Sequence, residues 1–279
     1  MTRRAAITGY PVSHSRSPLI HNHWLALHGI DGSYERIAVA PDEAHCFYES
    51  LGDQGLVGCN VTVPNKEVAA EVCATLDEAA RAMGAVNLLW VEGDGRVHGA
   101  NTDGFGFLGN LDQMAPGWDN DLREAVVLGA GGAARAIVWA LLSRGVKTVT
   151  IVNRTRSKAE ELCARFGADS KVADWGEVAD LLGSAGLLVN TTSLGMQGQP
   201  PLEIDLSALP VSALVTDAVY APLETPLLAA ARARGNPVVD GLGMLLHQAV
   251  PSFERWFGVR PQVTEDLRNL LLADLGVAA

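Results

Sequence analysis

The alternation of apolar and polar side chains divides the chain into two stretches of different rhythm. Up to residue 103, short strand-like runs alternate with helix signals: Ala6-Ile7-Thr8-Gly9, a helix opened near Ser17-Pro18, then a strand over 34–39. Proline suits the first turn of a helix, where its missing N–H leaves nothing unpaired. The run 57–63 predicts a strand with Val57, Cys59, Val61 and Val63 on one face and Asn60 and Thr62 on the other, because side chains alternate with period two. Two polar groups thus share a face. Pro64 ends that strand, and Lys66 stands at the mouth of a helix whose apolar set is Val68, Val72 and Leu76. Two further strands, 85–91 and 97–100, are joined by Glu92-Gly93-Asp94-Gly95-Arg96, a hairpin-type turn.

From Glu124 the rhythm changes to continuous apolar runs separated by helical patterns, at 125–128, 148–152, 187–190, 214–217 and 238–239. Such runs suit strands covered on both faces, as in a parallel sheet with crossover helices, and predict a doubly wound unit. The segment from Gly243 reads as two helices broken at 258–261, the second opened by Thr264 with Glu265 and Asp266 in its first turn.

At 279 residues the chain is longer than one average domain, which favours two units or one large α/β domain. Its 48% hydrophobic and 19% charged residues are those of an ordinary globular protein. A formal net charge of −11 argues against a surface that neutralises nucleic-acid phosphates or anionic lipid, so an anionic small molecule must find local cations. No stretch reaches the roughly 18 apolar residues of a membrane span, and Met1-Thr2-Arg3-Arg4 leads into a strand rather than a signal-peptide core. The expectation is a cytoplasmic protein. Cys46, Cys59, Cys73 and Cys163 have neither CxxC nor metal-finger spacing and read as free thiols. His14, His21, His23 and His28 lack a thiol or carboxylate that would complete a ligand set, so no metal is expected.

The chemistry begins where Val126-Val127-Leu128 runs into Gly129-Ala130-Gly131-Gly132-Ala133-Ala134, a strand entering G-x-G-x-x-A with a helix after it. Gly129 permits the tight turn, Gly131 lets backbone approach a pyrophosphate, and Ala134 allows close packing of helix on strand. The second strand of such a unit ends in an acidic residue when the adenosine ribose keeps a free 2′-hydroxyl. Here it ends in Asn153-Arg154-Thr155-Arg156-Ser157-Lys158, which offers donors and cations to a 2′-phosphate. NADP is favoured over NAD.

Seven phrases in order resemble the shikimate dehydrogenase family, which includes quinate/shikimate enzymes. They are 9–18 (GYPVSHSRSP), 60–66 (NVTVPNK), 84–87 (GAVN), 101–104 (NTDG), 129–134, 153–155 and 241–248 (GLGMLLHQ). The resemblance implies an α/β chain of two domains: an N-terminal α/β substrate domain of residues 1–103 with helices 243–279 returning to it, and a Rossmann-like NADP domain of residues 104–242. It implies reversible reduction of 3-dehydroshikimate to shikimate, a step of aromatic amino-acid biosynthesis. Carried over by position, Ser15 and Ser17 hold the substrate carboxylate, while Asn60, Thr62, Lys66, Asn87, Asp103 and Gln248 surround its ring oxygens. Gly129, Ala130, Gly131, Gly132, Ala133, Asn153, Arg154, Thr155 and Lys158 take the cofactor, with Glu78 close to it. Tyr220, Ala218 and Gly241 lie where the two domains meet. Partners are then small molecules, with neither nucleic acid nor membrane and with a homodimer left open.

This residue set makes chemical sense on its own. A small polyhydroxy acid needs short hydroxyl donors for its carboxylate and amide or carboxylate forks for its hydroxyls. Hydride delivered to a ketone builds negative charge on oxygen, which calls for a proton donor such as Lys66, oriented by Asp103. One departure is Leu88, where the family usually follows Asn87 with threonine. Two other readings remain: a broader quinate/shikimate dehydrogenase, and a ligand-binding regulator on the same scaffold without turnover. Replacing Arg154 by Asp is expected to lower kcat/KM for NADP relative to NAD by at least about tenfold, the scale of one lost charge-assisted hydrogen bond. Paired steady-state assays with the two cofactors read the ratio; an unmoved ratio removes specificity from this loop.

Overall fold

The computed structural model describes residues 2–277. Its elements run β1 (Arg3–Gly9), α1 (Ser17–Leu27), β2 (Gly32–Ala38), α2 (Ala44–Glu49), β3 (Gly58–Val61), α3 (Lys66–Glu71), β4 (Thr75–Leu76), α4 (Glu78–Met83), β5 (Leu88–Val91) and β6 (Val97–Ala100). There follow α5 (Asp103–Met114), β7 (Glu124–Leu128), α6 (Gly132–Ser143), β8 (Thr148–Val152), α7 (Arg156–Phe166), β9 (Ser170–Ala173), α8 (Val178–Leu182), β10 (Leu187–Asn190), β11 (Leu214–Asp217), α9 (Pro226–Ala233), β12 (Val238–Val239), α10 (Leu242–Phe257) and α11 (Glu265–Asp274). Two units emerge: one takes the described residues up to Thr102 and from Leu246 onward, the other Asp103–Leu245.

The first unit is built on a mixed sheet of order β2-β1-β3-β5-β6-β4. β1 pairs parallel with β2 and β3, whereas β5 runs antiparallel to both β3 and β6. Alternation sends Ala6, Cys59, Val61 and Leu89 into one apolar cluster with Val39, Tyr48, Leu51 and Ala69. The opposite side carries an aromatic layer in which His21 stacks on Tyr34 at 4.1 Å between centroids, with Trp24, Phe253 and Trp256 around it. Trp256 donates its indole N–H to Leu89 O at 3.0 Å and lies directly over Gly58, where a Cβ would overlap the indole. Glycine is required there by contact rather than by backbone conformation.

The second unit is an all-parallel sheet of order β12-β11-β10-β7-β8-β9, so consecutive strands diverge from β7 and the order reverses between β7 and β10. Period two is legible in its two cores. Ala125, Val127, Val149, Ile151, Leu187 and Val189 pack with Ile137 and Leu141 of α6. Val126, Leu128, Leu188 and Val215 pack instead with Leu182, Leu202, Leu206 and Leu227. Helices on both faces explain why these strands read as unbroken apolar runs.

Several sequence expectations change. The predicted strand 57–63 ends at Val61, and Val63 is 66% exposed rather than sharing the buried face with Cys59 and Val61. The helix after Lys66 stops at Glu71; Leu76 lies in β4, drawn into pairing with Gly99 of β6. The strand expected from 85 begins at Leu88, since Ala85 N–H is used to close α4 on Ala80 O. β9 was not predicted: Ser170-Lys171-Val172-Ala173 is an edge strand with Lys171 exposed, too polar to resemble its neighbours. The break between α10 and α11 matches the reading, with Thr264 Oγ1 accepting from Leu267 N at 3.3 Å.

His21 is fully buried and neither ring nitrogen makes a hydrogen bond. Burial pushes its pKa down to about 3, opposed only in part by the nearby Asn60 carboxamide. Unfolded histidine titrates near 6.5, so between those values the unfolded chain takes up a proton that the fold refuses. The associated stability is complete above about pH 6.5 and is lost as pH falls. Replacing His21 by Phe should flatten this limb, so that unfolding free energies of the two proteins diverge by about 1.4 kcal/mol per pH unit below 6.5. Urea unfolding at pH 6.5 and 5.0 measures the difference in slope; parallel curves would refute it.

Candidate functional site

The polar residues of the first unit are joined by short hydrogen bonds around the end of β3. Asn60, 3% exposed, uses its whole carboxamide internally: Nδ2 donates to Asn87 O and to Ser252 Oγ, each at 2.9 Å, and Oδ1 accepts from Tyr34 OH at 2.7 Å. Asn87 is the next link. Its Oδ1 accepts from Thr102 N at 2.8 Å, its Nδ2 reaches Thr102 Oγ1 at 3.1 Å, and Thr102 Oγ1 donates to Gln248 O at 2.8 Å. Asn101 is anchored by donation to Ala85 O at 2.9 Å. Asp103 follows immediately and opens α5 in the second unit.

Lys66 is the first residue of α3, and the backbone on either side of it is fixed. Val86 N donates to Lys66 O at 2.8 Å, Val61 N to Asn87 O at 3.0 Å, and Thr62 N to Thr8 O at 2.8 Å. Below it, buried Asn65 donates to Val39 O at 2.8 Å. The connection 62–66 is therefore laced to β1 and to the residues before β5, and it carries half-buried Thr62 and Lys66. Ser15 and Ser17 are also together, their hydroxyls 3.3 Å apart, with Ser17 N donating to Ser15 Oγ at 3.3 Å.

In the second unit Gly129 follows β7 with φ +110°, and a Cβ on it would overlap Thr191 Oγ1, so only glycine makes this turn. Gly131 and Gly132 are exposed, with open space where side chains would stand, at the N-terminus of the twelve-residue α6. Two concavities adjoin this turn and its following strand. One, of about 310 Å³, is lined by Ala130, Gly131, Gly132, Arg135, Lys158 and Arg165 among others. The second, about 610 Å³, lies against Asn153, Arg154, Trp175, Thr192, Ser193 and Leu202. Open glycine backbone, a helix N-terminus and cations together fit a dinucleotide pyrophosphate with an additional phosphate.

The three cations of the 153–158 loop separate. Arg156 is spent on Glu160 at 2.9 Å and Asp174 at 2.7 Å, whereas Arg154 and Lys158 have no carboxylate partner among the described residues. Asn153 Nδ2 donates to Thr155 O at 2.8 Å and shapes the loop. Glu78 starts α4 in the first unit, exposed, and lines neither concavity. Ala218 N donates to Asn190 O at 2.8 Å, and Gly241 packs so closely on Ala218 O that a Cβ would stand 2.6 Å away. Tyr220 is half-buried just beyond β11.

Three sequence models match the chain: the shikimate dehydrogenase substrate binding domain over residues 7–89, shikimate / quinate 5-dehydrogenase over 114–196, and the shikimate 5'-dehydrogenase C-terminal domain over 241–271. A shikimate dehydrogenase (NADP(+)) of Azorhizobium caulinodans is 58% identical over 98% of this chain and 97% of its own length. The chain belongs to the shikimate dehydrogenase family. Among solved structures, quinate dehydrogenase from Corynebacterium glutamicum in complex with NAD superposes with a TM-score of 0.89 at 29% identity, covering 98% of this chain and 99% of that one. The Thermus thermophilus shikimate 5-dehydrogenase in complex with NADP(H) and shikimate gives 0.84 at 32%, covering 96% and 100%.

Against that family frame, Leu88 is 3% exposed and sits opposite Asn60 in the β3–β5 ladder. A family threonine hydroxyl there would lie within the packed face, next to the Asn60 cluster. Residues missed by sequence reasoning are Tyr34, Thr102 and Ser252 in the first unit, and Arg135, Arg165, Trp175, Thr192 and Ser193 in the second. Thr192 and Ser193 had a signal, since they follow the C-terminal end of a parallel strand at the switch point, where ligands of such sheets bind. Trp175 had none. Among the described residues no group of three or more His, Cys, Asp or Glu is placed to hold a metal ion, and no helix is long and apolar enough to cross a membrane.

The hydrogen-bonding of Asn60 makes it a brace. Replacing it by Ala leaves Tyr34, Ser252 and a carbonyl without their partner, and should cost roughly 2–4 kcal/mol of stability. Denaturant unfolding measures this; a loss under about 1 kcal/mol would mean that the cluster carries little.

Proposed function

We propose that the chain catalyses the reversible NADP-dependent reduction of 3-dehydroshikimate to shikimate, with residues 1–103 and 243–279 binding the substrate and residues 104–242 the cofactor. The observation that carries this reading is the fixed 62–66 connection. Its two ends are tied to Thr8, Val39, Val86 and Asn87, so the Lys66 ammonium projects from a backbone with little freedom. Positioning of this kind is worth more to catalysis than any single added contact.

Ser15 and Ser17 donate to the substrate carboxylate, and Thr62, Asn87 and Gln248 to its ring oxygens. Asn60 contributes from behind, because its own amide is occupied. When bound, NADPH supplies hydride to the ketone carbon. Lys66 gives its proton to the ketone oxygen as charge builds there, leaving the hydroxyl of shikimate and a neutral amine that solvent reprotonates. Asp103 orients that ammonium and accepts from the neighbouring hydroxyl. In oxidation the same amine accepts the proton. Tyr220 is assigned to the substrate, and Ala218, Gly241 and Glu78 to the cofactor. Gly129, Ala130, Gly131, Gly132 and Ala133 take the pyrophosphate, while Asn153, Arg154, Thr155 and Lys158 take the adenosine with its 2′-phosphate. NADP rather than NAD follows from the two cations left without carboxylate partners. A cytoplasmic setting suits four cysteines that are all free thiols.

Purified protein assayed with shikimate or quinate, each with NADP or NAD, should turn over the shikimate and NADP pair fastest. Equal rates with quinate would widen the substrate range, and no cofactor reduction at all would favour the regulator. Lys66→Ala should lower kcat by on the order of 10²–10⁴ with a smaller change in KM. Near-normal turnover would remove Lys66 from the chemistry.

A further inference from the structure

The serine pair proposed to hold the substrate carboxylate is neutral, yet it binds an anion in a chain of net charge −11. We infer that Arg36 supplies the missing positive charge and selects for an ionised carboxylate at this position. The inference rests on the reading of Ser15 and Ser17 given above.

Arg36 lies in β2, in register with Ile7 of β1. It shares a strand face with Tyr34, two residues earlier, because side chains alternate. That face is the one turned to the serine pair and α1: Tyr34 donates to Asn60 Oδ1 there, stacks on His21 of α1, and has Ser17 close to its hydroxyl. The Arg36 guanidinium grips the loop itself, with Nε at 3.0 Å and Nη2 at 2.6 Å from Ser15 O. The carbonyl oxygen and Oγ of one serine are within about 5 Å of each other by covalent geometry, so the guanidinium of the exposed Arg36 lies within about 8 Å of the hydroxyl that would meet the carboxylate.

Its neighbours do not neutralise it. Arg36 has no carboxylate partner among the described residues. Glu35 points to the other strand face and is held by Arg4 at 2.5 Å, and Arg16, inside the serine loop, bonds Asp274 at 2.8 Å. The fork on Ser15 O uses only part of the five N–H donors of a guanidinium, and a carbonyl does not cancel the charge.

The test compares shikimate with its uncharged methyl ester, at saturating NADP, in the wild type and in Arg36→Gln, Arg36→Lys and Ser15→Ala. The acid-to-ester ratio of kcat/KM is expected to fall about tenfold in Arg36→Gln and to stay within about threefold of wild type in Arg36→Lys, which keeps charge but loses the fork. A wild-type ratio in Arg36→Gln overturns the inference. Equal loss of the ratio in Arg36→Gln and Arg36→Lys, or a proportional fall for acid and ester together, overturns it in favour of a loop brace. Ser15→Ala tests the underlying reading separately. If its ratio equals that of wild type, Ser15 does not meet the carboxylate; if it falls while Arg36→Gln does not, only the role of Arg36 fails.

Discussion

A single buried carboxamide organises the substrate-side unit. Asn60 has two donors and a strong acceptor, and each is matched: Ser252 in α10, the carbonyl of Asn87 before β5, and the hydroxyl of Tyr34 in β2. These partners come from positions 26, 27 and 192 residues away in sequence. An unpaired polar group in that environment costs more than its bond returns, so the three elements can close on β3 in one arrangement only. Burial also pushes the Tyr34 phenol well above its ordinary value, which keeps the hydroxyl neutral and able to donate. The Asn87–Thr102–Gln248 chain extends the same constraint to the residue preceding Asp103.

The cofactor-side unit rests on sterics rather than on a polar node. Strand β7 is followed by Gly129, whose φ is positive and where a Cβ would overlap Thr191, so the chain can turn towards α6 only through glycine. Thr191 is held in turn by donation to Leu128 O at 2.7 Å. This contact lies between β7 and β10, where strand order reverses and the crossovers leave in opposite directions. The open backbone of Gly131 and Gly132 is therefore a consequence of topology as much as of composition.

Much of this was legible in the sequence, for identifiable reasons. Predominantly apolar runs announced β7, β8, β10 and β11, because both faces of the sheet are covered. Gly129 could be singled out from local spacing, and Lys66 from its polar neighbours Asn60 and Thr62 together with the family motif. That Asn60 interrupts an apolar strand was legible too, but not what it meets: Tyr34 and Ser252 come from far along the chain, and periodicity carries no information about partners. Asn60 consequently read as a ligand-facing amide, whereas its three bonds turn inward. Edge strand β9 was missed because Lys171 and Ser170 break the apolar rhythm, and Leu76 because pairing with Gly99 overrides a helical pattern. Cation spacing in 153–158 suggested one basic cluster; Asp174, beyond β9, takes Arg156 out of it.

Charge placement connects the two units chemically. With 32 acidic against 21 basic residues, the average surface repels the anions that this family handles. Many arginines are neutralised locally, as Arg4 is by Glu35, Arg156 by Glu160 and Asp174, and Arg232 by Glu224. Arg36, Arg154 and Lys158 are left without carboxylate partners among the described residues: Arg36 at the serine pair, Lys158 at the glycine turn, and Arg154 in the concavity beyond β8. A negative background with a few unneutralised cations discriminates better than a generally basic surface, because an anion gains attraction only where its geometry also fits. Surface ion pairs of the Arg156 type add little stability at their exposure. Their larger effect is to remove competing positive charge, so that the cations without carboxylate partners stand out against a negative background.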